Sequence, residues 1–254
     1  MLAIERRNAI LEKLQVERRV VVSELSELFE VSEETIRRDL DKLENDGYAI
    51  KSYGGAVINE NINIDLPFDV RKNRNVLGKQ KIAALVSEMI GDGENIMLDA
   101  SSTTAAIAKM IKNKRDLTVI TNSLKIALEF IEAPNCHVIS TGGLATGSSF
   151  ALVGAVTDRT IRSYYVDTAV VSCKGVDLYA GITESDERHA NNKASMLYMA
   201  KRKILAVDSS KFNRIAFAKI GDLQDVSTIV TDKNPGEEWL KKLAEAGVEC
   251  VFPE

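Results

Sequence analysis

Two histidines, three cysteines, one tryptophan and four prolines are spread over 254 residues, and each scarcity removes a class of function. Cys136, Cys173 and Cys250 are widely spaced and lack any paired spacing. That predicts neither a disulfide framework nor a zinc site, and it suits a reducing cytosol. His137 and His189 stand far apart with no ligand set around them, so structural or surface positions are expected, with no metal and no cofactor. The longest apolar runs, such as "NIMLDA" and "DTAVVSC", fall far short of the roughly 20 residues that span a bilayer. Glu5, Arg6 and Arg7 interrupt the N-terminus and no apolar stretch follows, so no secretion signal is expected and the predicted location is cytoplasmic. The phosphate-binding pattern GxxxxGK[ST] is missing, which speaks against a nucleoside triphosphate; "GDGE" at 91–94 reads as a turn before a strand.

A surplus of positive charge is missing too. The formal net charge is −4, and residues 1–58 hold nine basic side chains against twelve acidic ones. If this segment binds nucleic acid, it must do so through placement of charge rather than excess.

What is present divides into two segments of different periodicity. Residues 1–58 read as three short helices and a small hairpin. Ile4, Ala9, Ile10, Leu11 and Leu14 give helical spacing on the first; Ser23 is expected to cap the second, with Leu25, Leu28 and Phe29 buried. After the tight turn "FEVS", Ser32 fits as the N-cap of a third helix, and Glu33 and Glu34 suit its first turn. Gly47 ends it, and "YAIKSYGGAVI" reads as two β-runs around Gly54 and Gly55. On a helical wheel Ile36, Leu40 and Leu43 define the buried face. Arg38, Lys42 and Asn45 land opposite, flanked by Thr35 and Arg37. A helix, a tight turn, a second helix with a basic outer face and a Gly-tipped hairpin form a winged helix-turn-helix.

Arg6, Ile10 and Leu14, followed by Ser32, Thr35, Ile36, Arg37, Arg38, Asp39 and Leu40, resemble the helix-turn-helix signature of the DeoR family of bacterial transcription regulators. The "YGGA" from Tyr53 to Ala56 is similar to that family's wing. Wheel and resemblance together assign DNA contacts to Ser32, Thr35, Arg37, Arg38, Lys42, Lys51, Tyr53 and Gly54. One of the two arginines would read a guanine edge and the other would hold phosphate. Asp39 is expected either to orient a guanidinium or to form a plain surface pair.

The second segment alternates between apolar β-type runs ("NIMLDA", "LTVITN", "CHVIST", "DTAVVSC", "KILAVDS", "STIVTD") and helical patterns. This predicts a mostly parallel sheet covered by helices. The expected division is a winged helix-turn-helix over 1–58, a linker over 59–75 and an α/β domain over 76–254. Arg71, Lys72, Arg74, Lys79 and Lys81 are read as a solvated linker and helix start, and Trp239 as core or interface.

Strand after strand ends in hydroxylic, Gly or Lys residues: Asp99 with Ser101, Ser102, Thr103 and Thr104; Thr121 and Asn122; Gly142 and Gly143; Lys174 and Gly175; and Lys211. Ligands of open α/β sheets bind outside the carboxyl ends of strands, where helix N-termini receive anions. A small phosphorylated ligand fits this set. The DeoR resemblance implies a C-terminal domain of the ribose-5-phosphate isomerase/CoA-transferase type that binds sugar phosphates, and it adds Glu187 to the implied contacts. Where that isomerase carries paired acid–base carboxylates, "SCKGVD" keeps only Asp177, which favours binding without turnover.

The reading is a DNA-binding repressor of a carbohydrate-utilisation operon, controlled by a phosphorylated sugar or sugar alcohol and assembled as a homodimer or homotetramer. Two alternatives stand beside it: a sugar-phosphate isomerase-like enzyme with an accessory DNA-binding domain, and a constitutive DNA-binding protein whose α/β domain only oligomerises.

Overall fold

The computed structural model describes residues 2–59 and 66–253, and the chain separates into two compact units, Met1–Arg74 and Asn75–Glu254. The first unit comprises α1 (Ala3–Glu17), β1 (Arg19–Val21), α2 (Val22–Phe29), α3 (Glu33–Asn45), β2 (Ala49–Ser52), β3 (Gly55–Ile58) and α4 (Phe68–Asn73). Its antiparallel sheet has the order β1-β3-β2, so the hairpin gains a third strand from the chain that follows α1. Ile10, Leu11, Leu14, Leu25, Ile36, Leu40 and Leu43 form the shared core, as the helical spacing requires.

Three expectations for this unit are corrected. Ser23 does not cap α2; the helix begins at Val22 with Val21 at its N-cap. Leu28 and Ile4 are exposed, because α2 spans only 8 residues and α1 turns Ile4 off the packed stripe. The stretch read as a linker contributes α4, and Leu66 and Val70 sit in the first unit's core. Residues 60–65 of that stretch lie outside the described residues.

The second unit runs α5 (Val76–Met89), β4 (Asn95–Leu98), α6 (Ser102–Ile111), β5 (Leu117–Thr121), α7 (Leu124–Ile131), β6 (Cys136–Ser140), β7 (Leu144–Thr146), β8 (Ala151–Val153), α8 (Ala155–Arg162) and β9 (Val166–Val171). It continues with β10 (Gly175–Asp177), β11 (Gly181–Glu184), α9 (Glu187–Tyr198), β12 (Ala200–Ala206), β13 (Ala218–Gly221), β14 (Thr228–Val230), α10 (Glu237–Glu245) and β15 (Glu249–Val251). Seven strands in the order β15-β14-β12-β9-β4-β5-β6 pair in parallel throughout.

The apolar runs are continuous because both faces of this sheet are covered. Ile96, Leu98, Val119, Val170, Ile204 and Ala206 pack with Ile82, Val86, Ile107 and Phe130 of α5, α6 and α7. The alternate residues Met97, Ile120, Ala169, Val171 and Leu205 pack on the other side with Met196 of α9 and Trp239 and Leu243 of α10. Trp239 is core, with its Nε1 donating to Asn213 Oδ1 at 3.0 Å. The small antiparallel additions, β10-β11-β13 and β7-β8, were not expected from the sequence; these strands are only three or four residues long.

Strand order reverses between β4 and β9: the chain steps outward through β5 and β6, then returns to β9 and proceeds through β12, β14 and β15. The carboxyl ends of β4 and β9 flank that reversal, where open α/β sheets leave a crevice.

Candidate functional site

On the first unit, Ser32 caps α3: its Oγ accepts the Thr35 N–H at 3.3 Å and lies 2.9 Å from the Thr35 hydroxyl. The cap fixes where α3 starts, and hence which side chains face outward. Ile36, Leu40 and Leu43 point inward, while Arg37, Arg38 and Lys42 are exposed. The β2–β3 hairpin presents Lys51, a fully exposed Tyr53 and Gly54 at φ +77°. All eight residues expected at DNA thus lie on the recognition helix, its cap or the wing, with Thr35 half-buried.

Asp39 corrects its reading. It is buried, accepts from Arg6 Nε at 2.6 Å and lies 3.5 Å from Arg7 Nη1, so it ties α3 to α1. Residues one or two apart on a helix point in different directions. Asp39 therefore shares the inward face with Ile36 and Leu40 rather than meeting Arg37 or Arg38. Those two pair with Glu33 and Glu34.

On the second unit, the five expected loops follow five neighbouring strands, β12, β9, β4, β5 and β6. Their side chains have unequal freedom. Asp99 is buried and committed: Oδ1 accepts the Ser101 N–H at 3.3 Å and lies 2.7 Å from the Thr104 hydroxyl, and Oδ2 accepts the Ser172 N–H at 3.2 Å. Ser101 caps α6 through Thr104 N at 3.1 Å. Thr121 donates its hydroxyl to Leu98 O at 2.7 Å. Asp99, Ser101, Thr104 and Thr121 shape the edge and have little left to offer a ligand.

Ser102 and Thr103 differ. They open α6, where the first amides have no intrahelical acceptor, and their hydroxyls make no side-chain hydrogen bond among the described residues. Asn122 donates from Nδ2 to Leu152 O at 3.0 Å, whereas its Oδ1 is buried without a partner.

Gly143 has φ +117° and a Cβ there would stand 2.2 Å from Thr157 Oγ1; at Gly175 a Cβ would stand 2.3 Å from Arg214 O. Packing alone therefore requires glycine at both positions. Gly142 O accepts the Thr157 hydroxyl at 2.7 Å. Lys174 follows β9, and Lys211 ends a short 3-10 turn opened by Asp208. Burial would raise the Asp208 pKa, but the charges of Lys211 and Lys79 and hydrogen bonds from Ser210 hold it below the ordinary value. Lys79, read as solvated, is buried. Glu187 stands exposed at the first position of α9, away from the buried network.

The sequence reading missed the centre of that network. Lys193 Nζ reaches Asp99 Oδ2 at 3.0 Å, Glu184 Oε2 at 2.5 Å and Ser172 O at 2.9 Å, so three donors meet three acceptors. All four residues are buried. Burial alone would raise the Glu184 pKa and lower that of Lys193; the charge of Lys193 reverses the first shift, and those of Asp99 and Glu184 reverse the second. One signal was available: Ala190, Lys193 and Leu197 follow the i, i+3, i+7 spacing of the buried stripe of α9, so a lysine there needed a buried counter-charge.

Asp177, taken as the remaining carboxylate, instead accepts the N–H groups of Tyr179 and Ala180 at 2.9 and 3.0 Å in the β10–β11 turn. Asp99 and Glu184 meet through Lys193, outside the stretch that keeps only Asp177. Glu184 is held ionised and is no proton donor at neutral pH.

Comparison with known proteins accounts for both units. Residues 6–61 match the DeoR-like helix-turn-helix domain and residues 74–233 the DeoR C terminal sensor domain. The chain belongs to the DeoR family. It is 39% identical to the HTH-type transcriptional regulator YulB of Bacillus subtilis, over 99% of this chain and 97% of that one. It is 32% identical to the HTH-type transcriptional repressor GlcR of Bacillus subtilis, covering 98% and 96%. With the glycerol-3-phosphate regulon repressor of Escherichia coli it shares 27%, covering 96% and 97%. A D-ribose-5-phosphate isomerase solved with phospho-erythronic acid aligns with 53% of this chain and 52% of its own, at TM-score 0.39 and 20% identity.

The DeoR-family chain is thus a DNA-binding transcriptional regulator, and its second unit is a sensor domain, not an enzyme. Among the described residues no helix is long and apolar enough to cross a membrane.

Proposed function

We propose that this regulator is a cytoplasmic repressor of a carbohydrate-utilisation operon, released or engaged by a phosphorylated sugar or sugar alcohol held at the carboxyl edge of the seven-stranded sheet. Residues 1–74 form the DNA-binding part and 75–254 the sensing part in this reading. The observation that carries it is the start of α6. Ser102 and Thr103 combine unclaimed amides and uncommitted hydroxyls at the N-terminus of a ten-residue helix, beside the strand-order reversal. That is the chemistry a phosphate dianion selects. Lys174 and Lys211 supply positive charge from neighbouring loops, and the unpartnered Asn122 Oδ1 supplies an acceptor for a polyol hydroxyl. The relative named as a glycerol-3-phosphate regulon repressor supports the ligand class, and it and the repressor GlcR support repression.

A single recognition helix covers few base pairs, so the reading includes a homodimer or homotetramer on paired half-sites. The test is operator binding titrated against sugar phosphates and their dephosphorylated parents. One phosphorylated compound should shift operator affinity roughly five- to 150-fold, the usual span of allosteric coupling, while its parent does nothing. Thr103→Ala combined with Lys211→Ala should abolish the response and leave unliganded operator binding unchanged. A double variant that responds as the parent chain does would move the sensor site elsewhere.

A further inference from the structure

The cations of the DNA-binding face do not stand alone. Arg37 Nη2 donates to Glu33 Oε2 at 2.5 Å, Arg38 Nε to Glu34 Oε1 at 3.2 Å and Lys42 Nζ to Asp46 Oδ1 at 2.8 Å, while Lys51 pairs with Asp41. Four positive charges meet four negative ones, and none of the eight side chains is buried.

Helix stability explains only half of this arrangement. Glu33 and Glu34 occupy the first turn of α3, where carboxylates are favoured, and each precedes its arginine by four residues, the favourable order. Asp46 sits at the C-cap, where the helix end repels a negative charge, and it follows Lys42 by four, the less favourable order. Asp41 turns its carboxylate to Lys51 of the wing, although Glu44 already accepts the Lys51 N–H at 2.8 Å.

We propose that Glu33, Glu34, Asp41 and Asp46 are specificity determinants: they cancel the charge of this face toward arbitrary duplex DNA, so that only a matching sequence is held. The proposal rests on the DNA-binding reading of α3 and the wing. Sequence-independent affinity grows with the number of phosphates a protein neutralises. A face of paired charges neutralises few and sets carboxylates against the backbone. Exposed pairs are weakly held, however, and exchange readily. A guanine offering O6 and N7 takes a guanidinium over from its glutamate with two hydrogen bonds, and the freed carboxylate can accept from a cytosine amino group. Wrong sequences give neither and retain the repulsion. Discrimination then comes from the penalty as much as from the contact.

The experiment compares the full chain with E33Q/E34Q/D41N/D46N and with D41N/D46N. Anisotropy titrations run from 50 to 200 mM salt against a duplex selected from a random pool by the parent chain, and against its scrambled counterpart. For the quadruple variant, scrambled-DNA affinity should rise by about tenfold or more, with a salt slope steeper by roughly 2–4. The preference for the selected duplex should fall, also by about tenfold. D41N/D46N should move in the same direction by less, and it decides the matter if the quadruple variant melts early, since neither aspartate supports α3. Unchanged scrambled-DNA affinity, or an equal rise on both duplexes, overturns the proposal. A parent chain that selects no sequence, or binds no worse as Arg38→Ala, sinks the DNA-binding reading of this face instead.

Discussion

The two units place their polar side chains in opposite ways. In the first, the side chains proposed to face DNA stand outside a packed helix, and among the described residues Arg6 and Asp39 are the buried charged pair that holds that helix in place. In the second, most of the polar residues at the sheet edge are built into the fold: Asp99, Thr104, Glu184 and Lys193 are buried and bonded in one network, and the buried Thr121 donates to Leu98 O. A DNA groove is read by side chains that reach out. A small anion is held by backbone and hydroxyl groups whose positions must be fixed beforehand, and that fixing consumes the charged residues. Substitutions should therefore separate into binding effects in the first unit and folding effects in the second.

The largest effect should come from Lys193→Met, which leaves Asp99 and Glu184 buried without their counter-charge. Breaking such a pair costs about 3–5 kcal/mol, read as a lowered melting temperature at pH 7. Its pH dependence has a defined sign. Glu184 is held below its ordinary value of 4.5 in the folded state, so its contribution is present above that value and is lost as pH falls. Lys193 is held above its ordinary 10.5, so its contribution is complete below that value and is lost only as pH rises past it. The parent chain should keep the whole contribution between about pH 5 and pH 10. The variant's deficit should shrink from pH 7 to pH 5 as the stranded Glu184 protonates. A deficit independent of pH would mean that packing, not charge, holds this cluster.

Next is Arg6→Ala: it leaves the buried Asp39 with only the Arg7 contact at 3.5 Å and should cost less than Lys193→Met, about 3 kcal/mol, with DNA binding falling only in step with the folded fraction. The smallest effect on stability should come from Arg38→Ala, because an exposed i,i+4 pair contributes about 0.3–0.5 kcal/mol. Its effect on operator binding should be about 1–3 kcal/mol if it reads a base. A melting point lowered as far as that of Lys193→Met would erase the contrast between the units.

Legibility in the sequence followed the same contrast. The cap at Ser32, the inward Ile36, Leu40 and Leu43, and six of the seven strands of the parallel sheet could be read because each is a local pattern of period 3.6 or 2. Asp39 and Arg6 lie 33 residues apart, and Glu184, Lys193 and Asp99 come from three elements. No spacing rule links such residues. Only the oddity of a lysine on the apolar stripe of α9 pointed to the cluster. Glu187 enters only through the family resemblance, and it stands exposed at the start of α9, whereas Glu184 ends β11 and is buried.

The placement of α4 carries a consequence for how the protein is made. Leu66 and Val70 complete the first unit's core, so every described element of that core has been translated by Asn73. The sheet of the second unit cannot join its centre until β9, at Val166–Val171, has been translated, because β9 is the strand between β4 and β12. At roughly 5–20 residues per second, each nascent chain passes several seconds, on the order of 5–20, with its DNA-reading head assembled and its sensor unfinished. The head is the part whose residues all come early in the chain, and it is complete before the sensor exists.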